Sequence, residues 1–236
     1  MTDHAGRRAD PAGKAPSPPT ETDTGGVRGR AARACAAAGV AGPAVFTGAW
    51  IAGSLRQDGY PAADLQISGL AAPDARDPWI MIAGFLVLGG CSVAFGAALQ
   101  DALGGRDRAG PAPRLIQGAG VLTIAAGLLR RDHMLLTAGP VSWHNHAHDV
   151  ISAAIYADLV LVQVLLAARF GRDAGAGGWR AWRPWLLASG WVTAGLLIAF
   201  AADTSGPRAG ILQRAAVTLP LAVLAAVAAR LVRASG

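Results

Sequence analysis

The chain has 236 residues, 53% hydrophobic and only 15% charged, against about 25% charge in ordinary soluble domains. Its apolar residues come in long blocks, which excludes a soluble globular domain and marks a polytopic protein whose first partner is the lipid bilayer. The net charge of +6 does not imply a nucleic-acid partner, because the arginines lie in short segments between apolar blocks and read as topology signals.

Residues 1–33 are rich in Pro, Gly, Thr and charge. They cannot bury enough apolar surface to offset chain entropy and are expected to be a disordered cytoplasmic tail. They do not read as a signal peptide, since the apolar run begins too late and continues too far. Residues 34–233 are the membrane domain. Its first predicted span, 34–55, places Trp50 near the far end, where an interfacial ring is favoured. Residues 56–78 form a polar loop with Asp58, Asp64, Asp74 and Asp77, expected to be a solvated face. The second span, 79–99, is glycine-rich, and small residues let helices approach closely in lipid. After a turn-rich loop comes the third span, 115–131, where Gly120, Thr123 and Gly127 share one face and read as a packing seam. The fourth span is 147–168. Arginines and tryptophans interleave over 169–184 and are expected to form an interfacial belt. The fifth and sixth spans are 185–202 and 213–230, the latter containing Pro220. Cys35 and Cys91 both fall inside apolar blocks and read as small buried residues.

Most of the 21 lysines and arginines lie in the tail, in 100–114, in 169–184 and at the C-terminal end. Inside-positive bias therefore predicts both termini in the cytoplasm. The first acidic loop, the histidines near residue 145 and Asp203 then share the outer face.

Gly-Tyr-Pro-Ala-Ala-Asp-Leu-Gln-Ile-Ser-Gly-Leu at 59–70, with Ala-Ala-Pro after it and a Gly-Phe in the next span, resembles the bacterial and archaeal membrane family catalogued as domain of unknown function 998. Asp132 and His148 look like that family's acidic residue after the third span and its histidine entering the fourth. The resemblance covers roughly residues 34–232. It implies a six-helix integral membrane protein and no established activity. Several histidines, and Arg130-Arg131 before Asp132, depart from the family pattern.

The chemistry concentrates at the start of the fourth span. His144, Asn145, His148, Asp149, Ser152, Tyr156 and Gln163 share one helical face, which must point into the bundle or a cavity, because hydrocarbon cannot satisfy it. His144 and His148 are spaced i, i+4 and could ligate one ion, with Asp132, His133 and Asp149 adding donors. Zinc suits that set, and an open position would activate water in a membrane hydrolase. The competing reading, which the apolar setting favours, is an interhelical hydrogen-bond network. Asp158, deeper in the span beside Ser152 and Tyr156, suggests a small proton-coupled permease or a hydrogen-bonded acid. The chain is thus expected to be an all-α, six-span bundle of the plasma membrane, with an outward-facing His/Asp cluster and no reaction legible.

Overall fold

The computed structural model describes residues 21–135, 139–172 and 178–234. Six α-helices carry the fold: α1 (Glu21–Arg56), α2 (Trp79–Ala102), α3 (Ala112–Leu128), α4 (Trp143–Gly171), α5 (Arg183–Ala202) and α6 (Ala209–Ala234). Short 3-10 turns occupy Ile67–Ala71 and Trp179–Trp182, and no strand occurs among the described residues. Five segments are long and apolar enough to cross a membrane: Gly29–Arg56, Trp79–Ala102, Trp143–Gly171, Trp179–Ala202 and Ala209–Ala234. The sixth helix, α3, has 17 residues, or about 26 Å of rise, somewhat less than the roughly 30 Å of bilayer hydrocarbon.

Three boundaries differ instructively from expectation. Residues 1–20 of the expected disordered tail lie outside the described residues, but α1 already begins at Glu21. The alanine run at 31–38 has the highest helix propensity of any residue type and carries the helix back into that tail. The third helix stops at Leu128 rather than running to 131, which frees Arg131 and Asp132 to turn toward other elements. The fourth helix starts at Trp143, ahead of the expected 147, so His144, His146 and His148 all lie on it.

Each helix packs on the next, and α6 returns to α1, so the six close an up-and-down ring. The expected seam is present: Gly120, Thr123 and Gly127 are all buried. A Cβ on Gly120 would lie 2.6 Å from the carbonyl oxygen of Gly89 on α2, so only glycine permits this approach. At the end where α1 begins, Phe95, Leu99, Leu166, Phe170, Leu186 and Val227 fill the ring with a continuous apolar cluster. The opposite end is closed differently. The first connecting loop, expected to be solvated, dips into the bundle, and Ile67, Ser68, Gly69, Leu70 and Ala71 are buried. These small and apolar residues pack mainly against α1, α2 and α6.

Candidate functional site

Buried polar side chains hold this plug. Arg214, on the first turns of α6, is 8% exposed. Its Nη1 donates to the carbonyls of Ala62 (2.6 Å), Leu65 (2.7 Å) and Gly210 (3.0 Å), and its Nη2 donates to Tyr60 Oη at 3.1 Å. The guanidinium also lies 5.3 Å from the centroid of the Trp50 ring. Trp50 is therefore part of the plug's mooring, rather than the interfacial belt residue expected. Burial pushes the Tyr60 hydroxyl up from its ordinary pKa, with Arg214 opposing. Next door, Gln213 Oε1 accepts from the Ile67 amide at 2.6 Å, and its Nε2 donates to Tyr156 Oη at 2.7 Å. One side chain thus ties the plug to α4.

The expected stripe on α4 divides. Asn145, His148 and Gln163 are buried, Ser152 and Tyr156 are half-buried, and His144, His146 and Asp149 are exposed. His148 Nδ1 lies 2.9 Å from both the Ala126 and Leu129 carbonyls. Two acceptors require the proton on Nδ1, so His148 satisfies carbonyls left open where α3 ends. Ser142, the N-cap of α4, donates its amide and hydroxyl to the Asp132 carboxylate at 2.6 and 2.7 Å. Those bonds, the amide first, hold the Asp132 carboxyl below the usual carboxylate range. The hydroxyl proton is then spent, so His144 Nδ1, 2.8 Å away, donates to Ser142 Oγ. His133 turns elsewhere, its Nδ1 3.6 Å from Asp74 Oδ2.

These contacts disperse the proposed zinc ligands. His144 stands 4.0 Å from Asp132, while His148 faces the end of α3 and His133 faces the first loop. Asp149 accepts from Asn145 at 2.9 Å. Among the described residues, no three His, Cys, Asp or Glu side chains are arranged to hold a metal ion.

The structure instead opens a cavity of about 580 Å³ between the plug, α4, α5 and α6. Its polar wall includes Gln66, Arg131, His148, Ser152, Tyr156 and Gln213; its apolar wall includes Ala153, Ala157, Leu197, Ile198 and Ala201. A second cavity of about 80 Å³ adjoins it and reaches Asp158 in a largely apolar setting. The two share Ser68, His148, Ser152, Tyr156 and Gln213. Arg131 is 6% exposed. Its Nη1 donates to Gln66 Oε1 at 2.8 Å, while its Nε has no hydrogen-bond partner. Among the described residues, the only carboxylate paired with it is Asp149, half-exposed and 4.0 Å from Nε. An arginine stays charged near neutral pH.

The family model for a protein of unknown function, DUF998, matches residues 40–230. The chain belongs to the DUF998 family. No curated protein and no solved structure matches it. In this DUF998 chain, the family-like Ile-Ser-Gly-Leu segment is the buried plug, and the family-like Asp132 and His148 pin α3 to α4. The polar anchors Gln66, Arg131, Gln213 and Arg214 escaped sequence reading, because Gln66 lay in a polar loop and the other three at the ends of apolar blocks, where charge or amide reads as topology or solvation. The available signal was cost: Arg214 falls inside an apolar block, where an unpartnered cation is expensive.

Proposed function

We propose that this DUF998 protein is a six-span plasma-membrane protein with both termini in the cytoplasm, which receives a ligand from the outer side into a cavity closed toward the cytoplasm. The observation that carries this reading is the polar-walled cavity of about 580 Å³ beside the plug, set against the apolar cluster at the other end of the ring. The distribution of arginines supports the orientation, and α3 supplies the sixth span with flanking residues making up its length. A metallohydrolase draws less support, because the histidines and acids it needs are engaged in capping and pinning contacts.

Cysteine labelling tests the reading. With Cys35 and Cys91 replaced by alanine, Ser152→Cys and Asp58→Cys are expected to react with an impermeant maleimide added to intact cells. Asp107→Cys is expected to react only after permeabilisation. Early labelling of Asp107→Cys would overturn the orientation, and a silent Ser152→Cys beside a labelled Asp58→Cys would overturn the open cavity.

A second reading, a proton-coupled permease, rests on Asp158, which lines the smaller cavity joined to the larger one. It requires proton uptake into proteoliposomes that disappears in Asp158→Asn. Equal uptake by both proteins would remove it.

A further inference from the structure

The large cavity is amphipathic in a directional way. Its polar groups cluster where α3 ends and the plug enters, at the depth of headgroups in the orientation above. Its apolar side lies between the corresponding halves of α4 and α5, and there the wall is incomplete. Ala153, Ala157 and Ala201 are exposed, and Ile198 is 71% exposed. Between Thr193 and Phe200 no residue of α5 is fully buried, so that half of α5 is only partly covered by its neighbours. The cavity therefore opens sideways, toward hydrocarbon, as well as toward the plug.

The polar end offers donors that the protein does not use. Of the guanidinium donors of Arg131, only Nη1 is hydrogen-bonded, and the buried Nε has no partner. A buried guanidinium that lines the cavity with one of its nitrogens bonded keeps donor capacity for an anionic group such as a phosphate, and Asp149 lines the same cavity. Asp149 offsets it weakly, because it is half-exposed and beyond hydrogen-bond distance. Tyr156 adds a second donor. Its oxygen accepts from Gln213, which leaves its own proton for a ligand. Ser68 and Ser152 line the same space. The stretch of α4 from Asp149 to Ala157 is ~12 Å long, room for the first part of an acyl chain below a headgroup at Arg131.

We propose that the cavity binds one phospholipid, its phosphate on Arg131 and the Tyr156 hydroxyl, its acyl chain leaving through the gap between α4 and α5. This rests on the cavity reading above and names its ligand class. The unused cation explains the headgroup, and the sideways opening explains why the ligand is a lipid rather than a soluble phosphate.

Native mass spectrometry of the detergent-purified protein tests it, with phosphatidylglycerol, diacylglycerol and glycerol phosphate as probes. One phosphatidylglycerol per chain is expected to be retained, with diacylglycerol and glycerol phosphate at least tenfold weaker. Arg131→Gln is expected to weaken phosphatidylglycerol at least tenfold, Arg131→Lys less, and Tyr156→Phe by a smaller factor. Ala157→Trp, which narrows the gap without touching Arg131, keeps the test usable should Arg131→Gln fail to fold. It is expected to block the lipid and spare glycerol phosphate. Equal binding of phosphatidylglycerol and diacylglycerol, or unchanged binding in a folded Arg131→Gln, overturns the headgroup assignment. Glycerol phosphate binding as tightly as the lipid, with Ala157→Trp inert, overturns the lipid source. In either case Ser152→Cys still labels, whereas its silence would sink the cavity itself.

Discussion

Gln213 is the side chain on which the plug and the cavity both depend, and Gln213→Leu isolates its contribution at nearly constant volume. Its carbonyl oxygen holds the amide of Ile67, a residue 2% exposed, and its amide nitrogen holds Tyr156 Oη. Leucine leaves the Ile67 N–H buried and unpaired, which costs roughly 1–3 kcal/mol. The Tyr156 hydroxyl faces the cavity and can turn to water, so its loss adds only about 0.5–1.5 kcal/mol. The sum is about 1.5–4.5 kcal/mol. Reversible unfolding in mixed detergent micelles, followed by the fluorescence of the seven tryptophans, would measure it. Tyr156→Phe completes a double-mutant cycle. In the Gln213→Leu background, Tyr156→Phe should cost almost nothing further, giving a coupling of about 0.5–1.5 kcal/mol. The plug's inner residue, Ser68, should also loosen, so Ser152→Cys should label faster in Gln213→Leu. A cost below about 0.5 kcal/mol, or an additive cycle, would refute this account of how the bundle's mouth is closed.

Three further outcomes follow from the same contacts. Because Ser142 holds the Asp132 carboxyl below its unfolded pKa, the contribution of Asp132 to stability is fully present above about pH 4 and is lost as pH falls through the lower folded value; Asp132→Asn should flatten that acid limb in thermal-unfolding series, and an unchanged limb would contradict the assignment. Gly69→Ala places a Cβ 2.7 Å from the Met134 carbonyl oxygen and should destabilise by about 1–3 kcal/mol, whereas Gly48→Ala, with nothing within 4 Å, should stabilise slightly through helix propensity; equal melting temperatures for the two would show that the plug is not closely packed. Arg214→Met strips donors from the Ala62, Leu65 and Gly210 carbonyls and should cost about 3–5 kcal/mol, read as a collapse of protease resistance in the 57–78 segment; resistance equal to the native protein would show that Arg214 is not the mooring.

The amino-acid sequence by itself determined the all-α class of this protein and the number of its long helices, because an apolar helix is set by local length and apolarity. It indicated in part which face of α4 turns inward: of the seven polar residues that share a side by helical period, Asn145, His148 and Gln163 are buried and Ser152 and Tyr156 half-buried, whereas His144 and Asp149 are exposed. The Gly120, Thr123 and Gly127 seam was legible for the same reason. What only the tertiary structure decided was which polar groups meet. His144 and His148 are one turn apart, yet one reaches Ser142 and the other the carbonyls of α3, because hydrogen-bond direction depends on where neighbouring helices end. Burial of part of the first loop depended on its packing against α1, α2 and α6, which no local pattern encodes. Arg131 and Arg214 look alike in the sequence as charges at span ends. In the fold Arg214 is moored to three carbonyls, whereas Arg131 makes one side-chain hydrogen bond, to Gln66, and lines the large cavity, a difference set by contacts between residues far apart in the chain.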